Sequence, residues 1–308
     1  FNQKKMTLSP TYESISGNFY YTQAQPLAFG ARDAVPQVNQ WFDQHTSHLF
    51  PSIIDHSDLT ESMYLLNAFC FKGSWKNPFK SSSHHSFYLT PTVPKAVKFM
   101  STIAVFPIFS DTVFTMVELP CGEKNAYSLY ILLPENEARG VKGLLASLTP
   151  RNLDEALNRL TPQNINLFLP GWESNFSIDD LRPLLSRLGM SLAFSIGGEA
   201  DFSNMYSTGA KKATLSQARH LTCIRVNENG IETAPAASEL PAPLADIYSR
   251  RLPRTVTFDH PFLYLLMDKQ HDLILQMGVV DDPKLGAVKP TAPAPPKRPV
   301  IRLPRRRK

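Results

Sequence analysis

Cysteine is scarce in this chain: Cys70, Cys121 and Cys223 are the only three among 308 residues. Three cannot build a disulfide framework, and none lies in a metal-ligand spacing such as C-x-x-C. The expectation is buried free thiols, no metal and no cofactor. Long apolar runs are missing as well. No stretch approaches the ~20 residues a membrane helix needs, which excludes a helical span. Charged residues make up only 19% against 43% hydrophobic, too apolar a balance for a wholly disordered chain. The length allows one large domain with a substantial core. There is no G-x-S-x-G, no P-loop and no H-E-x-x-H, so nothing supports an enzyme.

Basic residues are thin over most of the chain, despite a net charge of +5. Nine of the 32 Lys and Arg lie between Lys284 and the end, a stretch without Asp or Glu. Without those nine, 23 basic residues face 27 acidic ones, and the body carries −4. No basic stripe marks a nucleic-acid-binding domain. The tail has prolines at 290, 293, 295, 296, 299 and 304, which exclude a helix or a ladder, and too few apolar groups to pack. It is expected to be disordered, separate from a folded domain over 1–283. Its basic residues Arg302, Arg305, Arg306, Arg307 and Lys308 suit heparin or another glycosaminoglycan, or simply solubilise the chain. At the other end, Phe1 is not an initiator and 1–10 shows no charged-then-apolar leader.

Within the body, Val38, Trp41, Phe42, His45 and Leu49 recur at helical spacing, which predicts a helix over 32–49. Residues 59–71 are apolar on both parities and predict a strand covered on both faces. Strands are expected at 113–119, 127–133, 165–169 and 218–227, and again between 254 and 280. A short helix follows Thr149 and Pro150. Another carries Leu181, Leu184, Leu185 and Leu188, capped by Ser177 or Asp179 and stopped at Gly189. His84 and His85 sit in a Ser-rich stretch and read as surface residues. Helices and strands mix without strict alternation, so the class is α+β. One segment breaks the pattern. Almost thirty residues, NENGIETAPAASELPAPLADIYSRRLPR, lie between the strands near Val226 and Thr255. A loop that long is usually functional, and its arginines would attract a trypsin-like protease.

Several blocks resemble the serpin family. VTFDHPFLYLL (256–266) is similar to its C-terminal signature, and ILQMGVVDDP (274–283) to its closing strand. LLNAFCFKGSWKNPF (65–79) is similar to its central strand, and 188–203, with LGM and ADFS, to another family block. Residues 216–230 resemble the strand leading into the reactive-centre loop, and VNENG resembles the plasminogen-activator-inhibitor and nexin branch. The resemblance implies a five-stranded sheet with a loop held outside it. A protease cuts that loop and is trapped as an acyl-enzyme while the loop inserts as a sixth strand, releasing the strain of a metastable fold. It also implies a secreted, extracellular, monomeric inhibitor of trypsin-like serine proteases, lacking the N-terminal quarter of the family's domain, including its helices.

Residue by residue, Asn67 and His220 are similar to the polar pair that latches the sheet where it opens, and Trp75 to the tryptophan at its top. Glu228, Gly230, Ile231, Glu232, Thr233, Ala234, Pro235, Ala236 and Ala237 take the place of the hinge. Counting forward from the hinge puts the reactive bond at Leu244 and Ala245. Counting back from Pro261 and Phe262 puts it at Arg250 and Arg251, the preferred pair because YSRRLPR resembles the activator-inhibitor bait. The hinge departs from the family, which has Ser or Thr at the position of Ile231. Pro235, Pro241 and Pro243 cannot donate to a ladder, and Glu239 would carry a carboxylate into the core. These features work against fast insertion, so inhibition is expected to be weak, with the loop often behaving as a substrate. The alternative is a non-inhibitory carrier, chaperone or matrix binder that uses the basic tail. Asn175-Phe176-Ser177 is a glycosylation sequon.

Overall fold

Period-two alternation of apolar residues builds two large sheets that share a core. A computed structural model describes residues 1, 6–20, 22, 24–46, 48, 50–136, 140–195, 199–208, 213–231 and 253–284. Its elements begin with β1 (Thr7–Leu8), α1 (Pro10–Phe19), α2 (Ala34–His45), β2 (Met63–Cys70) and β3 (Gly73–Ser74). β4 (Ser81–Thr90), β5 (Val93–Ser110), β6 (Phe114–Cys121) and β7 (Tyr127–Pro134) follow, then α3 (Gly140–Ser147) and α4 (Pro150–Asn158). β8 (Thr161–Pro170) and β9 (Trp172–Ile178) lead to α5 (Arg182–Leu185). The last strands are β10 (Tyr206–Thr208), β11 (Leu215–Asn227), β12 (Gly230–Ile231), β13 (Arg254–Thr257), β14 (Phe262–Asp268) and β15 (Leu273–Val280).

The larger sheet runs β13-β8-β5-β6-β7-β14-β15, with β4 paired to β5. β6, β7 and β14 are apolar on both faces because both are covered. On one side Phe99, Ile131, Leu167 and Phe262 meet Trp172, Ile224 and Val226 of the smaller sheet. On the other, Met116, Leu132, Leu263 and Leu265 pack under Leu144 of α3 and Ala156 of α4. α4 starts where expected: the Thr149 hydroxyl accepts from the Asn152 amide, Asn152 returns the bond, and Pro150 opens the first turn.

The smaller sheet has five strands in the order β2-β11-β12-β3, with β9 on the far side of β11. α2 lies against it, its Phe42 packing with Phe50, Ile53, Ile54 and Leu221. The segment expected to be covered on both faces is so only in part. On the face away from α2, Met63 is buried beside Leu215, and Phe69 and Phe71 pack against the core between the sheets. Tyr64, Leu66 and Ala68 of β2 face α2, whereas Leu65 is 43% exposed and Asn67 is exposed.

Two other readings need correction. Ser177 lies inside β9 and Asp179 caps nothing; instead the Asp180 carboxylate accepts from the Arg182 amide at 3.1 Å and from its guanidinium at 2.8 and 2.9 Å. The helix expected over 181–188 stops after one turn and widens over residues 186–190, where Gly189 takes φ +99°. The cysteines are not three free thiols. Cys70 and Cys223 form a disulfide with Cα atoms 4.9 Å apart, leaving Cys121 free and buried.

Candidate functional site

β11 is the rail on which the site is built. Along 215–223 it runs parallel to β2, from Leu215 beside Met63 to Cys223 beside Cys70. Above Cys70 the direct pairing ends and a different partner enters. The chain reverses at Glu228 and Asn229, and β12 returns antiparallel, placing Ile231 opposite Val226 and Gly230 opposite Asn227. The other edge of β12 pairs with β3, Gly230 with Ser74 and Ile231 with Gly73. The first residues of the long loop therefore lie as a strand between β11 and β3.

Several contacts hold this reversal. The Asn227 Oδ1 accepts from the amides of Asn229 (2.9 Å) and Gly230 (3.3 Å), a turn that asparagine favours. The Trp75 ring, 5% exposed, donates its Nε1 proton to the Asn227 carbonyl at 2.8 Å. The backbone amides of Trp75 and Phe79 bond the carbonyls of Asn229 and Glu228. Gly230 is required by close approach: a Cβ there would sit 2.2 Å from the Gly73 carbonyl oxygen and 2.8 Å from the Ser74 Cα. Ile231 is fully buried in the core between the sheets. The Glu228 carboxylate meets Lys98 Nζ at 2.7 Å. Burial pushes its proton affinity up, but the hydrogen bond from Lys98, a backbone hydrogen bond and the Lys98 charge together outweigh this and hold it below its ordinary value.

Asn67 and His220 stand opposite each other in the β2–β11 register. Their side chains share no hydrogen bond, and Asn67 is exposed. Burial alone pushes the His220 imidazole below its ordinary value. Three residues further along both strands, the register brings Cys70 to Cys223. Cys223 is 1% exposed beneath α2, while Cys70 is half-buried. Asn175 is exposed on β9, and His84 and His85 are exposed on β4.

Past the hinge, Glu232, Thr233, Ala234, Pro235, Ala236, Ala237, Leu244, Ala245, Arg250 and Arg251 lie outside the described residues, as do Arg302, Arg305, Arg306, Arg307 and Lys308. The chain re-enters in the other sheet, where β13 pairs parallel with β8 and the Arg254 guanidinium donates to the Ser110 hydroxyl at 3.2 Å. Lys284, counted with the tail on charge, belongs to the fold: its carbonyl accepts from the Glu173 amide at 2.7 Å. Sequence reading missed the disulfide, the Asn227 turn and the Lys98–Glu228 pair. The first was within reach, because two cysteines each three residues beyond a facing pair must also face each other in a regular parallel ladder.

Among the described residues no helix is long and apolar enough to cross a membrane. Residues 1–283 match the family model of Serpin (serine protease inhibitor). Serpin-Z1C of Triticum aestivum is 31% identical over 301 residues, covering 93% of this chain and 74% of that protein. Intracellular coagulation inhibitor 2 of Tachypleus tridentatus is 32% identical over 288 residues, 90% of this chain and 67% of its own length. The crystal structure of uncleaved ovalbumin superposes with a TM-score of 0.78 at 23% identity, over 92% of this chain and 72% of that one. The fold is thus that of the serpins, and the chain belongs to the serpin family.

Proposed function

We propose that this protein inhibits trypsin-like serine proteases by offering Arg250 as bait and drawing the cut loop into its smaller sheet. The observation that carries this reading is β12. Its two residues already form a strand between β11 and β3, bonded on both edges, in the geometry that further insertion would extend. The protease serine attacks the Arg250 carbonyl, the bond to Arg251 breaks, and the new amine leaves on Arg251. Insertion then carries the ester-linked protease away before water can hydrolyse it. Arg250 suits an acidic specificity pocket, whereas Leu244 does not.

Secretion is part of the proposal, supported by a disulfide of the kind that persists in oxidising compartments and by the exposed sequon at Asn175. Incubating the full-length protein with trypsin, as purified and after reduction and removal of the reductant, tests the proposal. A detergent-resistant complex in either form supports it, and Arg250→Ala should abolish that complex. Clean cleavage after Arg250 without complex in both forms overturns it. A second reading, a non-inhibitory binding protein, draws its support from Pro235, Pro241 and Pro243, which would leave gaps in an inserted ladder.

A further inference from the structure

We infer that the Cys70–Cys223 disulfide is a redox lock on the smaller sheet: closed, it bars the loop from entering, and reduced, it admits it. The inference rests on the insertion reading above and concerns when insertion is permitted.

The bridge lies where insertion must proceed. Below it, β2 and β11 are bonded directly to each other for the whole of their shared length. Above it, β12 separates β11 from β3. The disulfide therefore joins the last closed rung, just beneath the tip of the inserted hinge. With Ile231 opposite Val226 on one side and Gly73 on the other, each further residue would move one rung down both neighbours. The third would be Ala234, which would have to pass between Cys223 and Cys70.

Spacing decides whether it can. Strands in a sheet lie about 4.8 Å apart, so a strand between β2 and β11 sets them about 9.6 Å apart. A disulfide holds its Cα atoms within about 4.4 to 6.8 Å, and here they stand 4.9 Å apart. The bridge and an inserted strand cannot occupy the same rung.

Release needs a dithiol reductant, small or protein-borne. Its thiolate attacks the sulfur of Cys70, the half-buried partner, and the S–S bond breaks with Cys223 leaving as a thiolate. The second thiol of the reductant then displaces Cys70. Two electrons pass to the protein, two cysteine thiols take up the protons, and the reductant leaves as its own disulfide. Cys121 does not interfere: it is buried, and burial pushes its thiol up to about 12.

A simple staple and a lock predict opposite results. Losing a staple weakens the fold and leaves trapping unchanged or poorer, whereas opening a lock raises trapping even as the fold loses a cross-link. The test compares oxidised wild type, dithiothreitol-reduced wild type and the Cys70→Ala/Cys223→Ala variant, each with trypsin. Alkylation under denaturing, non-reducing conditions should modify one thiol in the oxidised protein and three after reduction. The reduced protein and the variant should divert at least about tenfold more cleavage events into detergent-resistant complex than the oxidised protein. Thermal unfolding before and after loop cleavage reads insertion without any inhibition. Cleavage should raise Tm by roughly 10 °C or more in the unbridged forms and leave the bridged form nearly unchanged.

Three alkylated thiols in the non-reduced protein, or equal trapping and equal Tm gains with and without the bridge, overturn the lock. If no form traps trypsin but the Tm gain still depends on the bridge, the lock stands and the inhibitor reading fails. If all forms trap equally, the reverse holds.

Discussion

Gly230 has no room for a side chain, because its Cα faces the Gly73 carbonyl across the β12–β3 ladder. Gly230→Ala should therefore unseat the hinge and destabilise the protein by about 1–3 kcal/mol, the usual cost of overpacking. Chemical denaturation measures the loss, and faster hydrogen exchange confined to 226–231 would locate it. His220 supplies a second prediction. Burial favours its neutral ring, so the folded state binds the proton less readily than the unfolded chain, whose imidazole titrates near 6.5. The stability it contributes is complete above that pH and declines as pH falls below it. His220→Gln should flatten the fall in Tm between pH 7 and 5 relative to wild type; parallel curves would show that the ring plays no such part.

At the scale of elements, the hinge and the strands around it are tuned against each other. Ile231 is fully buried, so Ile231→Ala should cost about 2–4 kcal/mol of hinge docking, visible as accelerated exchange of the amides between β12 and its neighbours. Pro235 lacks the proton that a central strand would donate. Pro235→Ala in the reduced protein should restore one ladder bond, about 1 kcal/mol, and raise the trapped fraction several-fold; an unchanged fraction would mean that insertion is not limited at that residue. Much of this architecture was legible from residues alone. The alternation at 165–169, the Thr149-Pro150 helix start and the apolar runs of β6 and β7 each carry a local signal that tertiary structure obeys. The β4–β5 hairpin went unread because its outer strand, SSSHHSFYLT, is almost wholly exposed and has no apolar alternation to announce it. The helix at 181–188 failed for another reason: Asp180 turns back onto Arg182 and Gly189 reverses the backbone, so a sound leucine period ends after one turn. The disulfide was hidden by counting cysteines before pairing strands.

Across the whole molecule, charge is divided between a mildly acidic body and a strongly basic end. Removing residues 285–308 should lower the salt concentration that elutes the protein from heparin and leave trypsin cleavage of the loop unaffected; unchanged retention would remove glycosaminoglycan binding by that segment. The larger sheet carries a further consequence. β14 lies between β7 and β15, and with β13 all three C-terminal strands come after the long loop. A single cut at Arg250 therefore yields two polypeptides, the smaller supplying three strands, the inner β14 among them, to a sheet whose other five belong to the larger. Such a nicked protein should travel through gel filtration as one particle and come apart only in detergent. What had been a single chain then survives as an assembly of two.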